Sequence, residues 1–329
     1  MSEGLGATGA LRAPVVMFAF NRPELTTQVF ATIRAARPSR LFLVCDGPRA
    51  DRPGEADRCA AVRQILSEVD WPCEVERHYS DENMGCRLRV SSGIEWVFAR
   101  TEEAIFLEDD VLPEATFFRY CDELLERYRD DERVLTISGY NALGESLMSA
   151  GSYWFGAHSR IWGWASWRRA WRGYDEGMSG WPVFRKGTSW RRLSAEEREV
   201  FGPWMDVVFA REMDTWDAQL QLLAWQRAAL TVIPGRNLVQ NLGFGAIGTH
   251  TMVVPPLYPG RSWPMEFPLR HPVQARRDRE QDLKWLRLEH GVRGTAAGRV
   301  VRRHLRRVAL WLRNAVLPAK SAGDGRMVR

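Results

Sequence analysis

The sequence predicts an α/β fold, a mostly parallel sheet with helices on both faces. Two observations predict it. From Val15 to Leu107, short continuous apolar runs alternate with stretches of helical period, the order expected of strands joined by helical crossovers. No internal repeat, low-complexity segment or apolar run of membrane-spanning length interrupts that order.

Val15-Val16-Met17-Phe18-Ala19-Phe20 is apolar throughout, as a strand covered on both faces must be. Asn21-Arg22-Pro23-Glu24 then reads as a helix start, with Asn21 placed to cap, Glu24 to close the box and Pro23 tolerated in the first turn. Leu25, Val29, Ile33 and Ala36 follow at helical spacing, and Leu41 to Cys45 forms a second apolar strand that stops at Asp46-Gly47-Pro48. A helix around Ala60 to Val69, a strand over Glu74 to Tyr79, a helix from Leu88 to Ala99 and the strand Ala104 to Leu107 continue the alternation. After Gly139 the texture changes. Seven of the fifteen tryptophans lie between Trp154 and Trp190, among many glycines and arginines. A helix over Asp214 to Ala228, a short strand over Leu230 to Ile233 and a glycine-rich stretch from Asn241 to Thr251 complete the body. The chain thus divides into a mobile leader over 1–13, two halves of one domain over 14–139 and 140–269, and a tail over 270–329.

With 329 residues, 45% hydrophobic and 26% charged, the composition is that of an ordinary globular protein. The first residues lack the basic and apolar regions of a secretory signal, which makes the cytoplasm the expected location. The five cysteines are widely spaced and form no C-x-x-C pair, so reduced and mostly buried thiols are expected in place of a disulfide framework or a zinc site. The net charge of +5 is unevenly placed: from Arg270 onward there are 16 Lys and Arg against 5 Asp and Glu, and before it 30 against 36. An acidic body argues against a nucleic-acid binder, which sets its basic residues over the binding face.

Glu108-Asp109-Asp110 directly follows the buried strand Ala104 to Leu107. Adjacent carboxylates repel one another, so gathering them at a strand end calls for a cation, and a divalent metal is the natural candidate. A solvated acidic turn, or helix N-terminal charges ahead of Pro113, is the alternative. In open α/β sheets ligands sit outside the carboxyl ends of the strands, where this triplet, Asn21 and Asp46 all fall.

These residues together resemble a GT-A fold glycosyltransferase. The resemblance rests on an N-terminal apolar strand ending in Phe20-Asn21-Arg22-Pro23, Asp46 after the second strand, Asn83-Met84-Gly85 before a helix, and the acidic triplet. It is strongest to bacterial family 2-like enzymes, over about residues 14–252, and the triplet is also similar to that of N-acetylglucosaminyltransferase I. The resemblance implies a GT-A type, Rossmann-like sheet whose first half binds a nucleotide-sugar donor and whose second half binds an acceptor. It implies donor contacts from Phe20, Asn21 and Arg22, a nucleobase contact from Asp46, and donor contacts from Asn83, Gly85 and Arg87, with the arginine facing phosphate. Asp110 would bind Mn²⁺ or Mg²⁺, and Glu108 or Asp109 would face the ribose or sugar. The triplet departs from Asp-x-Asp, so the division of labour within it is open.

Glycosyl transfer leaves a diphosphate with concentrated negative charge, and the acceptor hydroxyl must lose a proton. Asp217, in Asp214-Thr215-Trp216-Asp217, is the candidate base for an inverting displacement; Asp206 is a poorer one, and a helix N-terminal charge is the alternative for Asp214 and Asp217. His250 is a candidate for the metal shell or the diphosphate, or a structural hydrogen-bonding residue. Trp162, Gly163 and Trp164, with Trp167 nearby, are candidates for an acceptor platform, since sugars stack their C–H faces on aromatic rings; most of the tryptophans should be core.

In the tail, Val301, Leu305, Val308 and Leu312 lie at helical spacing among Arg302, Arg303, Arg306, Arg307 and Arg313. Such a basic amphipathic helix suits an anionic membrane surface, or packs on the body with a solvated basic face. The expectation is a metal-dependent transferase, peripheral on the inner face of a membrane, moving a sugar from a nucleotide-sugar donor to a surface glycan or lipid-linked precursor. A UDP-sugar is the favoured donor, and no nucleic-acid partner is expected. A sugar-phosphate nucleotidyltransferase is one rival, lacking here its glycine- and arginine-containing loop after the first strand. A non-catalytic relative that binds glycans or partner transferases is the other.

Overall fold

The structure is a computed structural model, and it describes residues 11–144, 151–244 and 260–290. The first alternation runs β1 (Val15–Ala19), α1 (Pro23–Ala36), β2 (Arg40–Cys45), α2 (Glu55–Ser67), β3 (Glu74–Tyr79), α3 (Gly85–Phe98) and β4 (Glu103–Glu108). The second half begins with β5 (Val111–Pro113), α4 (Phe117–Arg127), β6 (Val134–Ser138), β7 (Tyr153–Gly156), β8 (Trp164–Trp167) and α5 (Arg168–Trp171). It continues through α6 (Trp181–Lys186), α7 (Thr188–Arg192), α8 (Ala195–Phe209), α9 (Asp217–Gln226), β9 (Leu230–Pro234), β10 (Val239–Asn241) and α10 (Arg279–His290).

The eight-stranded sheet has the order β3-β2-β1-β4-β8-β6-β9-β7, and β5 pairs with β10 in a separate ribbon. β1 is parallel to β2 and β4, β2 to β3, and β6 to β9, while β8 runs antiparallel between β4 and β6. Every residue of β1 is buried, as its unbroken apolar run requires. Right-handed crossovers put α1 and α2 on one face and α3 on the other. Gly93 of α3 lies against Phe18 and Val44, and α4 meets the opposite face where Trp167 Nε1 donates to Leu125 O at 3.2 Å. The predicted class, a mostly parallel sheet with helices on both faces, is the one observed.

The differences have local causes. Asn21 does not cap α1: the N-cap residue is Arg22, without a side-chain cap, and the Asn21 amide donates instead to Glu55 Oε1 at 2.8 Å. Helix α2 starts five residues before the expected Ala60, because Glu55 is fully buried against Arg49 and Asn21. Order also begins before Pro14, since Ala13 is buried and Arg12 binds Asp122 and Glu126 on α4. The stretch from Val111 to Ser138, which the periodic reading leaves unassigned, supplies β5, α4 and β6. All five cysteines are free, and Cys45, Cys59 and Cys121 are buried. No helix among the described residues is long and apolar enough to cross a membrane. The tail helix expected around Val301 to Arg313 lies outside the described residues.

The chain moves outward from β1 to β2 and β3, then returns past β1 to β4. That reversal opens a crevice beyond the carboxyl ends of β1 and β4. Because β6 and β9 share their direction, the residues after β6, those before β8 and the start of α9 reach the same edge of the sheet.

Candidate active site

The acidic triplet is met by a cation of the chain itself. Arg22, just beyond β1, forks onto both aspartates: one guanidinium nitrogen binds Asp109 and another reaches Asp110 Oδ2 at 2.8 Å. Phe20 N donates to Asp109 Oδ2 at 3.1 Å, so the end of β1 is stitched to the end of β4 twice. Burial and the Asp110 charge push the Glu108 carboxyl above its usual range, with Arg22 opposing them. For Arg22, burial acts downward, but the two aspartates outweigh it and hold the guanidinium above its ordinary value. Among the described residues no other basic side chain forms an ion pair with the triplet.

Asp46 has been taken up by the fold. Oδ1 accepts from Gly47 N and Met84 N, both at 2.9 Å, and Oδ2 accepts from Asn83 Nδ2 at 2.9 Å and Gly85 N at 3.1 Å. A carboxylate offers about four acceptor positions, and all are used. The expected nucleobase contact thus gives way to a positioning role, tying the end of β2 to the loop before α3. Asn83 is likewise turned inward, its amide also donating to Gly47 O at 3.0 Å.

Gly85 needs to be glycine for two reasons: its φ is +79°, and a Cβ would lie 2.6 Å from Asp214 Oδ2. The close approach expected toward the donor is therefore made toward Asp214. That carboxylate accepts from Cys86 N at 2.8 Å and satisfies the exposed amino end of α3 from the far half of the domain. Arg87, expected to face phosphate, is committed to Glu176 Oε1 at 2.7 Å and lies 3.9 Å from Asp214. The helix end that Asp214 serves is that of α3 and not of α9, and Glu176 carries no local signal in the sequence, because both act across the chain fold.

Phe20 and Asn21 follow β1 close to Arg49. The Arg49 guanidinium lies 5.5 Å from the Phe20 ring centroid and grips Glu55, which also receives the Asn21 amide. Those bonds to Arg49, working against burial, lower the Glu55 carboxyl from 4.5 to about 2. A group held below its unfolded value contributes stability that is complete above about pH 4.5 and is lost as the pH falls toward 2. Denaturation midpoints measured from pH 6 to about 2 should therefore fall less steeply in Glu55→Gln than in the wild type. Parallel slopes would contradict the pairing.

Across the crevice, Asp217 begins α9 and accepts a hydrogen bond from Thr215 Oγ1. It lies near enough to the triplet to raise the Glu108 carboxyl further, as burial and the adjacent aspartates already do. Asp206 is elsewhere, bound to Trp181 Nε1 at 3.0 Å.

Of the expected acceptor platform, Trp164 is core. It is 2% exposed, pairs with Phe106 across β8 and β4, and stacks on that ring at 4.4 Å. Trp167 is equally buried, on the opposite face of the strand. Trp162 is half-buried and packs on Tyr140 and Phe244, with centroids 4.4 and 5.6 Å apart. Gly163 is buried at φ +59°, and a Cβ there would stand 2.7 Å from Val239, so its conformation serves the approach of β10. Trp164→Ala should cost about 3 to 5 kcal/mol in denaturant unfolding. Trp162→Ala should cost about 1 to 2 kcal/mol, and equal losses would refute the division between core and wall.

Asp110 stands at the rim with its side chain 14% exposed, and the buried Glu108 Oε1 has no hydrogen-bond partner. Mg²⁺ and Mn²⁺ take one or two carboxylates and complete their shell with phosphate and water, a pattern these residues fit once Arg22 releases Asp110. Among the described residues no group of three or more His, Cys, Asp and Glu could hold a metal by itself. His250 lies outside the described residues.

The chain matches no protein-family model and no curated protein. Among solved structures it is similar to the mannosyltransferase PcManGT from Pyrobaculum calidifontis in complex with GDP-Man and Mn²⁺, at 15% identity and a TM-score of 0.35. That likeness covers 50% of this chain and 48% of the mannosyltransferase, so it spans about half of the latter's length. An active-site mutant of LgtC is similar at 12% identity over 64% of this chain and 69% of that one, with a TM-score of 0.33. HddC from Yersinia pseudotuberculosis is similar at 9% identity over 48% and 77%, with a TM-score of 0.30. At these values the likeness says nothing of activity.

Proposed function

We propose that this chain is a glycosyltransferase that moves a sugar from a nucleotide-sugar donor to a glycan or lipid-linked acceptor, with inversion. The observation that carries this reading is the meeting, at one edge of the sheet, of a guanidinium on two aspartates with a separate carboxylate on the facing helix: Arg22 on Asp109 and Asp110, with Asp217 at the start of α9. An anion clamp and a base on opposite sides of a crevice are what a single displacement needs.

In the proposed reaction the acceptor hydroxyl oxygen bonds to the anomeric carbon, and the bond from that carbon to the diphosphate oxygen breaks. Asp217 takes the hydroxyl proton. The nucleoside diphosphate leaves with the electron pair. Arg22, on letting go of Asp110 while still held by Asp109, would turn the freed guanidinium N–H to the diphosphate. Mg²⁺ or Mn²⁺ bound at Asp110 would supply further positive charge to the departing group. Phe20 and Arg49 form the donor side of the crevice, and Asp46, Asn83 and Gly85 hold the floor of that side in place. Trp162 presents an aromatic face on the acceptor side, where a sugar ring can stack. A UDP-sugar as donor and a station on the inner face of a membrane, reached through the basic tail, belong to the same reading.

Calorimetric titration with UDP, GDP, CDP and dTDP, each with Mn²⁺ and with chelator, tests it. One diphosphate should bind in a metal-dependent manner, and Asp110→Ala should lose that dependence. Binding of none by the wild type would overturn the donor assignment, and unchanged metal dependence in Asp110→Ala would remove Asp110 from the metal.

A further inference from the structure

We propose that Glu289 of helix α10 is a positioning residue for the acceptor wall, setting the orientation of Trp162 through Tyr140; this rests on the reading of Trp162 as that wall. Helix α10 is bolted to the sheet by a buried carboxylate. Asp282 Oδ2 accepts from Ala157 N at 2.9 Å and from Arg277 Nε at 2.6 Å, and Trp285 and Leu286 are buried beside it. One turn beyond Trp285, Glu289 Oε2 receives both Trp285 Nε1 and, at 3.5 Å, the hydroxyl of Tyr140.

Tyr140 follows β6 at the carboxyl edge of the sheet and is 4% exposed, and its ring meets Trp162 at 4.4 Å with the planes tilted by 60°. Its backbone is already held, since Tyr140 N donates to Ser138 Oγ at 3.0 Å and Gly139 N to Gly163 O at 2.6 Å. Glu289 adds a contact at the hydroxyl end of the ring.

A carboxylate costs free energy in such surroundings unless charge and hydrogen bonds compensate it. The compensation has been built. Arg160 is 4% exposed, sits 4.3 Å from the Trp285 ring centroid and 5.1 Å from that of Trp154, and its guanidinium nitrogens have no hydrogen-bond partner. Asp282 Oδ1 lies 4.0 Å from it and is likewise without a hydrogen bond. Arg160 is thus a charge held among rings beside Asp282, and its field also favours the charged form of Glu289. A leucine at 289 would fill the space without that expense, but could not accept from Tyr140.

Fluorine NMR of protein carrying 5-fluorotryptophan tests this without reference to any reaction. Trp162→Phe assigns the Trp162 resonance, and Trp71, which packs on Phe30 and bonds to Pro38 O, serves as a distant control. Glu289→Leu and Tyr140→Phe should move the Trp162 resonance and leave that of Trp71, while Glu289→Gln, which keeps an acceptor oxygen, should restore most of the wild-type position. An unmoved Trp162 resonance in folded Glu289→Leu overturns the proposal. Where that variant fails to fold, an unmoved resonance in Tyr140→Phe does so.

With a donor and acceptor that the wild type turns over, Glu289→Leu should raise the acceptor KM about 5-fold, with kcat and diphosphate affinity unchanged. Equal losses in donor and acceptor terms would mark a merely structural role and also overturn it. If the wild type transfers to no acceptor offered, the proposed function is what fails, and the fluorine result alone decides the coupling.

Discussion

Replacing Arg22 by alanine is expected to cost about 3 to 5 kcal/mol of stability, the loss seen when one partner of a buried ion pair is removed. Arg22 is 14% exposed at its side chain, and Asp109, its first partner, is 3% exposed, so solvent screens their attraction weakly. Without it, Glu108, Asp109 and Asp110 keep their mutual repulsion and lose the cation that opposes it. Mn²⁺ should then raise the unfolding temperature of Arg22→Ala more than that of the wild type, since the metal no longer competes with a guanidinium for Asp110. Arg22→Lys restores charge without the fork and should fall between the two. A variant as stable as the wild type, or one that gains nothing from Mn²⁺, would show that the triplet is balanced in another way. On the proposed reaction the same substitution should also weaken diphosphate binding, because it removes the guanidinium assigned to the leaving group.

For Asp217→Asn the expected result is a loss of transfer by about 10² to 10⁴-fold with diphosphate affinity unchanged, as for removal of a general base. Asparagine keeps an oxygen to accept from Thr215 and keeps its place at the start of α9, but it takes no proton at neutral pH. A residue that served only the helix N-terminus would behave differently, with transfer retained and a stability change of about 0.3 to 1 kcal/mol. Single-turnover transfer rates together with denaturant midpoints separate the two. A variant with wild-type transfer would strike Asp217 from the reaction.

Much of the first half of the fold was legible because strand ends are local features. A continuous apolar run such as Val15 to Phe20 has to be buried on both faces, and the polar residues that stop it must surface at the sheet edge. Asn21, Asp46 and Glu108 to Asp110 therefore fall at a common edge from the sequence alone. What those side chains do there was less legible. Asp46 and Arg87 read as ligand-facing, yet each is engaged by partners 30 or more residues away in sequence, Asn83 and Glu176 among them. Trp164 and Trp162 differ by two positions and look alike in the sequence. Gly163, at φ +59°, turns the chain just before β8, so that the Trp164 ring stacks on Phe106 in the core while the half-buried Trp162 ring packs on Tyr140.

The sequence by itself determined the fold class, the succession of the first four strands along the chain and the edge at which polar residues gather, because period and apolar burial act over a few neighbouring residues. The tertiary structure alone decided which charges meet. Whether the triplet faces a metal, a solvent shell or Arg22 depends on β1 and β4 lying side by side, 88 residues apart in sequence between Arg22 and Asp110. Whether Asp214 serves the reaction or the amino end of α3 depends on a contact 128 residues long. Charge pairing is set by distances of a few ångströms, and such distances exist only once the chain has closed.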